Sequence, residues 1–220
     1  MKLKAVIFDM DGVIFDSERA SFQAWKELSV KYGFEENFDA NYYSIIGTNR
    51  DLNRKLFKEY YGADFPYDDY ADEKQEICRQ RYSNGRMPKK TGITDLLEYL
   101  KSLGIYTAVA SSTYSDIVTT LMDEAGLRSY FTLIVGGDMI TRCKPDPEIF
   151  LKSIDGTGLK PEECAVIEDS YNGIRAAYAA GMFPIMVPDM LPPTDEMKEK
   201  AGIILPDLLA VKDFLEAENE

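Results

Sequence analysis

Ala5-Val6-Ile7-Phe8-Asp9-Met10-Asp11-Gly12 is the stretch from which the rest of the chain is read. Its first four residues form a short apolar run, the pattern of a strand buried on both faces. Gly12 ends the strand, because glycine reaches backbone angles that other residues avoid. Two carboxylates, Asp9 and Asp11, therefore stand where a central strand turns into a loop. In open α/β sheets, ligands bind beyond that carboxyl end. A carboxylate there serves as a nucleophile or a metal ligand, and a second one moves protons. The same residues also read as a capped turn, since Asp and Gly favour turns. On this stretch alone both readings stand.

Outward from it, apolar runs recur at residues 106–110, 133–135, 165–167 and 185–187, with a weaker sixth at 203–205. Helix-period segments at 94–102, 115–125, 147–153 and 170–180 separate them, with stops at Leu103-Gly104 and Ala180-Gly181. Strands that alternate with helices make βαβ units and a parallel sheet, so the expected fold class is α/β. Residues 16–86 break the rhythm. They hold no buried-strand run, although a simple crossover needs only about a dozen residues. They hold instead helix-period segments at 20–31, 50–61 and 70–82, with recurrent aromatic residues. This reads as an inserted helical bundle joined near Phe15-Asp16 and Gly85-Arg86-Met87-Pro88. The expected division is a catalytic core of residues 1–15 and 87–220 and a helical cap domain of residues 16–86. The insert emerges beside the two carboxylates, so a lid is the economical reading and a passive insert the plainer one. There are no internal repeats or low-complexity tracts, and the acidic tail at 216–220 reads as a solvated helix end.

Composition narrows the function. The 220 residues are 45% apolar, enough for one large domain or two small ones. A formal charge of −13 argues against a nucleic-acid partner and against anionic membranes. No apolar run approaches the ~20 residues of a membrane span. Met1-Lys2-Leu3-Lys4 leads straight into a strand and lacks the features of a signal peptide. Cys78, Cys143 and Cys164, odd in number and without a C-x-x-C pair, read as reduced thiols of a cytoplasmic protein. Histidine is absent. That excludes imidazole bases, imidazole metal ligands and phosphohistidine, and leaves acid–base work to carboxylates, Lys, Tyr or Cys.

The ends of the other strands supply matching parts. The second ends in Val109-Ala110-Ser111-Ser112-Thr113, with a helix from about Ser115. Three hydroxyls and free N–H groups at a helix start suit a phosphate, whereas ordinary capping explains only one hydroxyl. After the third comes Cys143-Lys144-Pro145-Asp146-Pro147, a stiff loop presenting one point charge. The fourth ends in Val166-Ile167-Glu168-Asp169-Ser170, followed by Gly173. Asp9, Asp11, Glu168 and Asp169 would repel one another at low dielectric and need cations. Lys144 and a hard, oxygen-seeking metal such as Mg²⁺ provide them. In the mechanism these parts point to, Asp9 attacks phosphorus to form an aspartyl phosphate. Asp11 protonates the leaving oxygen and then activates water. Mg²⁺ and Lys144 neutralise the transferring group, and Ser111 with adjacent amides holds its oxygens.

Asp9-Met10-Asp11-Gly12-Val13, Ser111, Lys144-Pro145-Asp146-Pro147 and Glu168-Asp169-Ser170 with Gly173 resemble, in order and spacing, the haloacid dehalogenase superfamily. The resemblance spans essentially the whole chain. Aspartate at position 11 resembles the phosphotransfer branch, and the insert is similar to the cap of the β-phosphoglucomutase-like subgroup. The resemblance implies a Rossmann-like core and a cap that closes over the substrate. It also implies Mg²⁺ held by Asp9, the backbone carbonyl of Asp11 and Asp169, with Glu168 a further candidate ligand. Ser111, Ser112 and Lys144 are the expected phosphate-binding residues. Ser21, Trp25, Gly47, Thr48 and Arg50 are the cap residues expected to face the substrate.

Within the subgroup, β-phosphoglucomutases typically carry a histidine where Ser21 stands, and tend to carry a lysine where Tyr114 stands. Asp16-Ser17-Glu18 further resembles the broad sugar-phosphate phosphatases, whereas Arg50 keeps an arginine at the place where the mutase cap grips phosphate. The expectation is a Mg²⁺-dependent phosphatase of a small phosphorylated metabolite, a sugar or polyol phosphate. It is expected to act as a cytoplasmic monomer without a nucleic-acid or membrane partner. A β-phosphoglucomutase-type mutase is the alternative. A non-catalytic binding protein is disfavoured, because no motif residue is lost.

Overall fold

In the computed structural model, which describes residues 3–46 and 50–219, six strands form one sheet: β1 (Ala5–Phe8), β2 (Tyr106–Ala110), β3 (Leu133–Val135), β4 (Cys164–Glu168), β5 (Phe183–Met186) and β6 (Ile203–Ile204). Their order is β3-β2-β1-β4-β5-β6 and every neighbouring pair is parallel. This is the doubly wound, Rossmann-like order, whose switch point falls beside β1. The ten α-helices among the described residues are α1 (Ser17–Tyr32), α2 (Phe38–Tyr43), α3 (Arg50–Tyr61), α4 (Tyr67–Tyr82), α5 (Ile93–Ser102), α6 (Ser115–Glu124), α7 (Glu148–Lys152), α8 (Tyr171–Ala179), α9 (Asp195–Lys200) and α10 (Leu208–Asn219). None is long and apolar enough to cross a membrane.

The period of two along each strand explains the layers. Val6, Phe8, Val109, Ala165 and Ile167 pack on one face with Leu96, Leu100, Met122 and Val211. Ala5, Ile7, Ala108, Ala110 and Val166 pack on the other with Ile149, Phe150, Ala176 and Ala177. Both faces of β1 are thus covered, which is why its sequence is apolar without alternation.

The insert builds a core of its own, largely of aromatic rings. Trp25 packs on Phe57 at 4.8 Å and on Tyr67 at 5.7 Å, and Phe34 meets Phe65 edge-on at 5.0 Å. Its two connections run side by side. Phe15 pairs antiparallel with Lys89, the Asp16 N–H donates to the Pro88 carbonyl at 2.9 Å, and the Lys90 N–H donates to the Ile14 carbonyl at 2.9 Å.

Two short helices, α2 and α9, have no counterpart in the sequence reading. Six residues are too few for an apolar period to show. For α9 a local signal existed, since the Thr194 hydroxyl caps it by accepting from the Met197 N–H.

Candidate active site

The register of β1 sets the site. Phe8 lies opposite Val109 on one side and Ile167 on the other, so Asp9 leaves the strand level with Ala110 and Glu168. The Asp9 N–H still donates to the Ile167 carbonyl at 3.0 Å, which ties the residue to the neighbouring strand. Beyond it the chain closes a small loop. Ile14 and Phe15 N–H groups both reach the Met10 carbonyl, and the Gly12 N–H reaches Phe15. Gly12 has φ +79°, and a Cβ there would lie 2.3 Å from Asp169 Oδ2. Conformation and space both demand glycine.

Lys144 is the hub. Its Nζ donates to Asp9 Oδ1 at 2.5 Å, to Glu168 Oε1 at 2.6 Å and to the Ala110 carbonyl at 3.2 Å. Its ammonium also lies 5.0 Å from the centre of the Phe150 ring. The other Glu168 oxygen accepts the Ser170 N–H at 2.8 Å and the Ser170 hydroxyl at 3.0 Å. Ser170 Oγ in turn accepts the Gly173 N–H at 3.0 Å and so caps α8. A Cβ on Gly173 would sit 1.8 Å from Glu168 Oε1, so glycine is required for the carboxylate to lie there.

Burial pushes the Asp9 carboxyl well above the usual range. Lys144 pulls it back, and Glu168 and Asp11 push it further up. Burial also raises Asp169, and Glu168, Asp9, Glu18 and Asp189 add to the rise. Burial alone would lower Lys144, but the charges of Asp9 and Glu168 outweigh it and hold the ammonium above its ordinary value.

Oxygens of Asp9, Glu168 and Asp169 lie within 4.8 Å of one another. Among the described residues Lys144 is the one cation paired with them, and no donor hydrogen-bonds to Asp169. Three buried carboxylates against one ammonium leave an excess of negative charge. An all-oxygen donor set of that charge fits a hard divalent cation.

The Asp11 carboxylate lies outside that trio, as fits an expectation that placed only the backbone carbonyl of Asp11 among the ligands. It accepts hydrogen bonds from Ser17 Oγ at 2.6 Å, Thr113 Oγ1 at 3.0 Å and Ser111 Oγ at 3.3 Å. Ser111 is fully buried and accepts the Thr113 N–H at 3.0 Å. Ser112 is exposed and makes no hydrogen bond to these groups among the described residues. The N–H of Ser115, expected free for a phosphate, is taken: it donates to Asp138 Oδ1 at 2.6 Å, and Ser115 Oγ donates to Oδ2 at 2.8 Å. Asp138 comes from the loop after β3, so a resident carboxylate caps α6.

Within the insert, a cavity of about 270 Å³ is lined by Glu18, Ser21, Trp25, Tyr42, Arg50 and Lys74, among others. It gathers three of the five expected cap residues, while Gly47 and Thr48 lie outside the described residues. The Arg50 guanidinium is already paired, to Asp68 at 3.1 Å and Asp72 at 2.7 Å. Glu18 entered the sequence reading only as part of Asp16-Ser17-Glu18 and not as a cavity residue, and Tyr42 and Lys74 escaped it. Burial, reinforced by the Asp11 charge, pushes the Glu18 carboxyl up to about 7. Burial and Glu18 likewise raise the Tyr42 phenol. Helical spacing held the missed signal: Glu18, Ser21 and Trp25 are three and seven residues apart on one face of α1.

Comparison with known proteins follows the same lines. The family profile described as haloacid dehalogenase-like hydrolase matches residues 6–187. A phosphorylated carbohydrates phosphatase of Thermotoga maritima is 31% identical over 180 residues, 82% of each chain. A β-phosphoglucomutase of Bacillus subtilis is 33% identical over 193 residues, 84% of this chain and 83% of its own. The crystal structure of CbbY from Rhodobacter sphaeroides in complex with phosphate superimposes with a TM-score of 0.75 at 27% identity, covering 94% of this chain and 95% of that one.

Proposed function

The chain belongs to the haloacid dehalogenase-like hydrolase family and is a phosphatase, and we propose that it hydrolyses small sugar or polyol phosphates through an aspartyl phosphate on Asp9, with magnesium as its metal. The observation that carries this reading is the contrast between two carboxylates two residues apart. Asp9 is bound by Lys144 inside the acidic trio, whereas Asp11 faces three hydroxyls across from it. Environments that differ so strongly assign different jobs to chemically identical groups.

In the first step a carboxylate oxygen of Asp9 forms a bond to phosphorus while the bond to the ester oxygen breaks. Asp11, protonated, gives its proton to that leaving alkoxide. In the second step water attacks the same phosphorus and Asp11 takes its proton. The acyl phosphate bond then breaks, releasing inorganic phosphate and the Asp9 carboxylate. Lys144 remains charged throughout and holds Asp9 in place for both displacements. Glu168, with both oxygens engaged, acts as the anchor of Lys144, so Asp9 and Asp169 are the side chains that would hold the magnesium. The ion, when bound, would neutralise charge on the transferring phosphoryl group. Ser111 and Thr113 orient Asp11.

The substrate reading rests on the cavity. Hydroxyl, carboxyl and ammonium groups of Ser21, Tyr42, Glu18 and Lys74 beside the Trp25 ring suit a polyhydroxylated carbon chain. The relatives' names, phosphorylated carbohydrates and phosphoglucose, point the same way. Ser21 in place of a histidine, and Arg50 already paired with two carboxylates, favour water over a second sugar hydroxyl as the acceptor. Release of inorganic phosphate from a panel of sugar and polyol phosphates, with and without Mg²⁺, tests this. With β-glucose 1-phosphate, accumulation of glucose 6-phosphate instead of inorganic phosphate would establish the mutase.

A further inference from the structure

Asp189 lies in the loop after β5, on the same sheet edge as the site, and its side chain is 0% exposed. Its Oδ1 accepts two cations at once, Lys90 Nζ at 2.7 Å and Arg19 at 3.1 Å. Its Oδ2 is buried and has no hydrogen-bond partner among the described residues. The two cations come from opposite ends of the insert. Arg19 is in the first turn of α1, just after the outgoing connection, and Lys90 is on the returning one.

We propose that Asp189 is a positioning residue for substrate binding: by clasping both connections of the insert to the sheet edge, it sets where α1 and the cavity lined by its Glu18 stand over the site. This rests on the phosphatase reading above. The geometry gives the two contacts different duties. Lys90 is paired to Ile14 within the hinge itself, so rotation of the insert barely moves it. Arg19 stands one turn beyond the hinge, so its distance to Asp189 changes with the angle of the insert. The same first turn carries Ser17, which donates to Asp11 at 2.6 Å, and Glu18, which lines the cavity. A buried carboxylate is stable only while a cation reaches it. Lys90, 22% exposed, keeps Asp189 paired when Arg19, 51% exposed, lets go into water. The clasp therefore has one fixed arm and one releasable arm, as an element that opens and closes over a substrate requires.

Asp189→Asn, Arg19→Gln and the double variant test it, with p-nitrophenyl phosphate and the best-cleaved sugar phosphate of the panel as substrates. Amide hydrogen exchange at Asp16 and Lys90 is the readout independent of turnover. The expected result is a KM for the sugar phosphate raised about tenfold with kcat within about threefold, and p-nitrophenyl phosphate hydrolysis within about twofold. Exchange at the two hinge amides quickens while that of β1 and β4 does not. The double variant has a KM no higher than that of Asp189→Asn, because that change already removes the Arg19 contact along with the Lys90 one. Equal losses on both substrates, additive effects, or hinge exchange unchanged would overturn the clasp. Should Asp189→Asn fail to fold, Arg19→Gln alone, at a half-exposed position, gives the same split or refutes it. A wild-type protein inactive on every phosphate ester would refute the phosphatase reading, and the exchange measurement would still judge the clasp.

Discussion

Lys144 and Asp9, 135 residues apart in the chain, meet at 2.5 Å where β1 ends. The pair is nearly sealed from water, with side chains 7% and 8% exposed. In such a place a charge is tolerated only with its partner, so each residue of the pair depends on the other.

Removing the ammonium should therefore be costly. Lys144→Ala leaves Asp9 and Glu168 buried together without a cation, and the expected loss is about 3 to 5 kcal/mol of stability in metal-free buffer. Urea denaturation measures it, and added Mg²⁺ should restore part of the loss by supplying the missing positive charge.

Gly173→Ala should lower turnover, unlike a glycine replacement in open space. Its Cβ would overlap Glu168, which Lys144 and Ser170 hold in place, so relief requires moving that carboxylate. The expected cost is about 1 to 3 kcal/mol, with a fall in turnover. Gly33→Ala, at φ +74° with nothing within 4 Å, is the control and should cost about 1 kcal/mol with turnover intact.

Asp11→Asn should separate proton transfer from metal binding. The Asp11 carboxylate lies outside the acidic trio, so Mg²⁺ affinity measured by calorimetry should stay within about threefold of the wild type. Turnover should fall by about 10² to 10⁴, the usual contribution of a positioned acid–base group.

Metal-free protein should lose stability as pH rises. Glu18 carries its proton up to about 7 in the fold, against 4.5 ordinarily. Between those values the folded chain binds more protons than the unfolded one, so stability is greatest below the lower value and declines towards the upper. Asp9 and Asp169, both raised, act in the same direction. Thermal melts from about pH 5 to about pH 8 should show falling midpoints. Glu18→Gln should flatten the decline, and Mg²⁺, which needs the deprotonated carboxylates, should oppose it at the upper end.

Much of the sheet edge was legible in the sequence for a local reason. Each of Asp9, Ser111 and Glu168 sits at the end of an apolar run or directly after it, and a parallel sheet brings such ends to one side. Lys144 was legible from the two prolines that stiffen its loop. The interior of the insert was not. Which faces of α1 to α4 turn inward depends on contacts such as Trp25 with Phe57 and Tyr67, between segments far apart in the chain. Two carboxylates left no local mark either. Asp138 caps a helix that starts 23 residues before it. Asp189, the one charged residue of a proline-rich loop at 187–194, meets Lys90 from 99 residues away.

Asp9 is the residue proposed to carry the phosphoryl group. Borohydride reduces an acyl phosphate to an alcohol, so quenching turnover with borohydride and sequencing the peptides by mass spectrometry reads the nucleophile directly. Homoserine is expected at position 9, only when substrate and Mg²⁺ are both present. Turnover that proceeds with Asp9 unmodified, or with the label on another carboxylate, would contradict it.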